Sequence, residues 1–150
     1  MKLAEALIIR ADLQKRIVQL RGRLKDSSKV QEGDVPAENL DDLFKELDMT
    51  LSQWEDLIYR INVTNMQTIY EGETLTRMIA RKDVLSARLS VMRDLVAHVT
   101  DSGTRYGRNE IKYVRIIDVA ELRKTTDQYS KQLRELDTKI QSLNWTIDLV

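Results

Sequence analysis

Apolar residues along this chain recur at alternating steps of three and four. Leu3, Ala6, Arg10, Leu13, Ile17, Leu20 and Leu24 form one series, interrupted by its arginine. Leu40, Phe44, Leu47, Leu51, Trp54, Ile58 and Ile61 form a second. The third is Leu75, Met78, Lys82, Leu85, Leu89, Met92, Val96 and Val99. The fourth is Val119, Leu122, Thr126, Tyr129, Leu133, Leu136, Ile140 and Leu143. This spacing keeps a stripe of side chains on one side of a helix, as in coiled-coil and bundle seams. The pattern predicts a mainly α protein: four long amphipathic helices in a bundle or coiled-coil-like arrangement, each roughly 35 to 43 Å long.

Local signals place the breaks. "DSSKVQEGDVPAEN" separates the first two helices, with Gly33 and Pro36 as breakers. Glu38, Asp41 and Asp42 then fall near the positive end of the second helix dipole. Gly103 is a natural stop after the third helix. Asp118, with Glu121 three residues on, resembles a capping box opening the fourth.

Two segments depart from helical periodicity, so the fold class includes one or two short β-strands between helices two and three and helices three and four. "MQTIYEGETL" holds β-prone residues before Glu71-Gly72, a tight-turn signal, with Thr74 placed to cap the third helix. "RYGRNEIKYVRIIDV", Arg105 to Val119, is the other. Its Ile111, Tyr113, Val114, Ile116, Ile117 and Val119 are β-branched or aromatic, which predicts a short strand with buried apolar side chains. A lone strand leaves its backbone groups unpaired. The expected partner is Met66–Tyr70 of the same chain or a second subunit.

Composition narrows the function. The chain has 150 residues, 42% apolar and 32% charged, which fits a single folded domain over 1–150. The 24 Lys and Arg balance the 24 Asp and Glu, so no global field draws the chain to nucleic acid or anionic lipid. Without cysteine there are no disulfides, thiolate nucleophiles or zinc ribbons. No apolar run approaches the roughly 18 residues needed for a membrane span, and the start "MKLAEALIIRADL" is too charged for a secretory signal. The expected setting is cytoplasmic.

Candidate chemistry is sparse. His98 is the single histidine, four residues after Asp94 on one helix face, a spacing typical of a solvated pair. A di-iron carboxylate bundle needs Glu-X-X-His on two helices; Leu95 stands three residues before His98, and no second histidine exists. No glycine-rich phosphate loop or nucleophile elbow is present. The expectation is no catalytic residue, no metal, no cofactor and no enzymatic activity.

Two sets of residues remain as binding candidates. Arg10, Lys82 and Thr126 interrupt the seams. In an up-down-up-down bundle Arg10 and Lys82 fall at about the same level, and two unpaired cations there would be costly. Either their stems pack while their heads reach water or a carboxylate, or they set register or bind an anion. The second set, for an anion or a partner, is Arg105, Tyr106, Arg108, Lys112, Tyr113 and Arg115, where cations alternate with rings able to stack on bases.

"MKLAEALIIRADLQKRI", "VQEGDVPAE", "INVTN", "RYGRNEIKYVR" and "LDTKIQSLNW" resemble a family of small bacterial proteins often labelled septicolysin, over essentially the whole chain. The resemblance implies no established activity or catalytic residues, and its label implies a membrane-active toxin. From the residues themselves, Leu7, Ile8 and Ile9 beside Leu3 and Ala6 make the first helix apolar around more than half its girth, which predicts a second packing partner. The leading expectation is a self-associating helical interaction or scaffold protein, a homo-oligomer with a protein partner. The alternative is association with nucleic acid through Arg105–Arg115.

Overall fold

The computed structural model describes residues 1–101 and 111–150. It is mainly α, with α1 Leu3–Ser28, α2 Leu40–Gln67, α3 Leu75–Thr100 and α4 Val119–Thr146. A two-stranded antiparallel sheet, β1 Ile69–Tyr70 and β2 Glu73–Thr74, separates α2 from α3. Contacts divide the chain into two units: Met1–Leu75 with Gln141–Val150, and Thr76–Ile140.

In the first unit α1 and α2 form an antiparallel hairpin. Gly33 turns the connection with φ of 93°, and the Asp34 amide donates to the Gln31 carbonyl at 3.0 Å. Asn39 caps α2, its side-chain oxygen accepting from the Asp42 amide at 3.2 Å. Every predicted seam position of α1 is buried or half-buried, with Leu3, Ala6 and Leu20 fully enclosed. Ile8 and Ile9, on its other side, remain exposed.

The inner face of α2 is rotated from the expected stripe. Leu43, Thr50, Leu57, Ile61 and Thr64 are buried, whereas Phe44 and Leu51 are exposed. Thr50 Oγ1 donates to the Glu46 carbonyl at 2.7 Å, and Thr64 Oγ1 to Arg60 at 2.8 Å. A hydroxyl bonded one turn back is satisfied within its own helix, so burying it carries little desolvation cost. That lets small threonines occupy buried positions of α2 while Phe44 and Leu51 stay exposed.

Residues 1–3 close against the end of the chain. The Leu3 amide donates to the Ile147 carbonyl and the Leu149 amide to Met1, both at 2.9 Å. Lys2 Nζ meets Asp148 at 2.9 Å. Val150 is held by α2: Arg60 Nε donates to its carbonyl at 2.7 Å, and its amide donates to Thr64 Oγ1 at 3.1 Å.

The β1–β2 turn places Glu71 and Gly72 at φ of 49° and 86°. Positive φ at both central residues matches the twist of a two-residue hairpin. The pairing is Ile69 with Thr74 and Tyr70 with Glu73.

In the second unit α3 and α4 run antiparallel, as the contacts of Lys82 with Asp137 and Arg88 with Tyr129 require. Met78, Leu89, Leu122, Thr126 and Ile140 are buried, and all lie on the predicted stripes. Asp118 Oδ1 accepts from the Glu121 amide at 3.1 Å, capping α4 as its sequence position predicts.

The second strand is not formed among the described residues. Residues 111–118 lie in no strand and no helix, and Ile69–Tyr70 pairs with its immediate neighbours instead. Of the apolar side chains expected to be buried, Ile111, Tyr113, Val114, Ile116 and Ile117 are exposed, and Val119 is half-buried as the first residue of α4. Closing a two-residue turn costs far less chain entropy than bringing together segments some forty residues apart. β-propensity supplied a preference for extended backbone, but not a partner.

Candidate functional site

Of the six residues in the cationic and aromatic set, Arg105, Tyr106 and Arg108 lie outside the described residues, as does Gly103. Lys112, Tyr113 and Arg115 are all exposed. They stand outside helix and strand, between Ile111, which is 91% exposed, and Ile116, which is fully exposed. Val114 at 82% completes a row in which cations and large apolar groups both face solvent. Such a segment can contact a partner through backbone groups, apolar side chains and charge together.

The three seam intruders have three different solutions. Lys82 is half-buried and its Nζ meets Asp137 Oδ1 at 2.5 Å. Thr126 is buried, with Oγ1 donating to the Leu122 carbonyl at 2.7 Å. Arg10 is half-buried and makes no ion pair or hydrogen bond among the described residues. The Lys82 head thus reaches a carboxylate, one of the two arrangements expected for these cations, whereas Arg10 meets none among the described residues.

An ion-pair cluster that sequence reading missed lies along the α1–α2 hairpin. Arg16 donates to Glu46 at 2.9 Å, and Arg23 reaches both Glu38 and Glu46. The Arg23 hydrogen bond holds the Glu38 carboxyl below its ordinary range, and Glu38 in turn raises Arg23. An open groove beside it is lined by Asp12, Lys15, Arg16, Gln19, Arg23 and Glu46. Its cations already face carboxylates, Lys15 meeting Asp12 at 3.4 Å. The groove is thus neutralised from within. No sequence signal joins Arg23 to Glu38, because the pairing depends on how the connecting loop folds.

Asp94 and His98 are both exposed, as their spacing on one helix face suggested. Among the described residues, no three His, Asp or Glu side chains converge in a metal-binding group. Among the same residues, no helix is long and apolar enough to cross a membrane.

The fold and these surfaces define a mainly helical protein, built from antiparallel helical pairs and carrying one short hairpin. Residues 10–149 match the model of a family of unknown function (DUF6847), and the chain belongs to that family. It is similar to a solved structure described as a functionally unknown conserved protein from Corynebacterium diphtheriae. The two are 42% identical, with 100% of this chain and 99% of that chain covered and a TM-score of 0.93. No curated protein matches. Neither match supports the septicolysin label or the membrane-active role it implies.

Proposed function

We propose that the chain is a non-catalytic, self-associating helical module that works in the cytoplasm and uses the segment around Ile111–Ile117 as a contact surface. One observation carries this reading: Ile111, Tyr113, Val114 and Ile116 are each more than 80% exposed within six residues that lie in no helix or strand. A β-prone row in water, with no strand beside it among the described residues, is a template for pairing. Exposed Ile8 and Ile9 on α1 and Phe44 on α2 add apolar surface. Sedimentation equilibrium tests the proposal. The expected mass exceeds 17.5 kDa, and Ile116→Asp lowers it without lowering Tm. A constant monomer mass at all concentrations would overturn it.

A second reading, association with nucleic acid, has its own support. Lys112 and Arg115 are exposed just before α4, whose first turns expose Arg123 and Lys124. Binding through these cations predicts an affinity for DNA or RNA that falls steeply with salt. Replacing Lys112 and Arg115 with Ala should flatten that slope; weak binding with no salt dependence would dismiss this reading.

A further inference from the structure

The two flanks of the α1–α2 seam differ in character. On one flank Arg16 pairs with Glu46 at 2.9 Å, and Arg23 reaches both Glu46 and Glu38, so these charges are matched within the chain. At about 100° of turn per residue, Arg21 and Lys25 fall across the α1 seam from Arg16 and Arg23. Phe44, Asp48 and Leu51 fall across the α2 seam from Glu46 in the same way. In an antiparallel pair these two sets border one flank, the one opposite the ion pairs. That flank is open: Phe44 is 52% exposed and Leu51 38%, with Val18 of α1 at 58%. Ile17 and Leu24 of α1 and Leu47 of α2 stay only half-buried although they stand on predicted seam positions. A helix pair encloses such residues when a second layer covers it.

The charges bordering the open flank sort by helix. The α1 edge carries Arg21 and Lys25, the α2 edge Asp41 and Asp48; all four are exposed. None of them makes an ion pair among the described residues.

We propose that this flank is the contact face for a second copy of the chain, the two hairpins packing as four helices about a twofold axis parallel to them. Two kinds of twofold axis can lay the flank against itself. An axis across the helices sets α1 on α1 and α2 on α2, so cations face cations and carboxylates face carboxylates. An axis along the helices sets α1 of each copy on α2 of the other, and each cationic edge meets a carboxylate edge. The pairs Arg16–Glu46 and Arg23–Glu38 put Arg21 level with residues 40 and 41, and an axis along the helices preserves that level. Arg21 of the partner subunit then comes level with Asp41. Like charges brought together across an interface are strongly unfavourable, which selects the axis along the helices. A patch that carries both halves of its own complement suits an isologous dimer, whereas an unrelated partner needs only one sign. This face rests on the self-association proposed above but not on the 111–117 segment.

Sedimentation equilibrium tests the face in an Ile116→Asp background, where the 111–117 contact is weakened. That protein is still expected to self-associate. An acidic variant, Arg21→Glu with Lys25→Glu, sets carboxylates against carboxylates. A basic variant, Asp41→Lys with Asp48→Lys, sets cations against cations. Each alone should associate at least about tenfold more weakly than the Ile116→Asp parent, and an equimolar mixture of the two should recover the association as a heterodimer. Unchanged association of either variant, or a mixture that stays dissociated, would overturn the face. All four positions are exposed, and circular dichroism checks that each variant is folded. Should a charge variant not fold, Phe44→Gln with Leu51→Gln carries the test: it removes exposed apolar groups without altering charge, and unchanged association there overturns the proposal. A monomeric Ile116→Asp protein beside an associating parent would overturn this face and leave the 111–117 contact standing. A monomeric parent would overturn both.

Discussion

Lys82 on α3 and Asp137 on α4 form an ion pair in the seam of their hairpin, with Nζ and Oδ1 2.5 Å apart and both side chains partly exposed. A lysine at a seam position is thus tolerated because its side chain is only partly enclosed and its head finds a carboxylate near solvent. The pair is solvent-screened, so its net worth is small. Asp137→Ala should destabilise by no more than about 1 kcal/mol. The double variant Lys82→Met, Asp137→Asn should be as stable as the parent or more so. Urea denaturation of the three proteins decides; a loss of several kcal/mol in the double variant would show that the pair specifies the packing.

Leu89 is 1% exposed at the centre of the α3 stripe. Leu89→Ala should cost about 2–5 kcal/mol through lost burial and the cavity left behind. Leu89→Asp should be worse, since it encloses a charge without a partner. Thermal denaturation followed by circular dichroism measures both, and an unchanged Tm in either would contradict the seam assignment.

Glu71 occupies the left-handed region without being glycine, at φ of 49°. Asn tolerates that conformation better than Glu does. Glu71→Asn should therefore stabilise the protein by about 0.5–1 kcal/mol. Gly72→Ala, at φ of 86° with open space around the added methyl, should destabilise through backbone strain alone. Equilibrium unfolding should show the two changes with opposite signs.

Stability should fall in acid partly through Glu38 and Asp148. A hydrogen bond from Arg23 depresses the first carboxyl and one from Lys2 depresses the second. For a group whose folded pKa lies below its unfolded value, the stabilisation is fully present above the unfolded value. It is lost as pH falls through the folded one. The Glu38→Gln, Asp148→Asn variant should start less stable at neutral pH and lose less between about pH 5 and pH 2. Parallel Tm curves for parent and variant would exclude these two groups as the cause.

Helix number, the breaks and three of the four inner stripes were determined by the sequence alone. In α1, α3 and α4 the apolar residues repeat at three and four, and no competing stripe offers comparable burial, so periodicity and inner face coincide. The Asp118 cap and the Glu71-Gly72 turn were equally legible, since each depends on residues within a few positions of one another. Tertiary structure decided the rest. In α2 two adjacent stripes compete, and tertiary packing buries the one with Thr50 and Thr64, whose hydroxyls bond back into their own helix. Residues 111–118 show the opposite limit: strong β-propensity forms no strand and stays exposed where none of the described residues offers a partner strand. The Lys2–Asp148 and Arg23–Glu38 pairs join residues far apart along the chain. Local sequence carries no information about such pairings, because each exists only after the helices have taken their register.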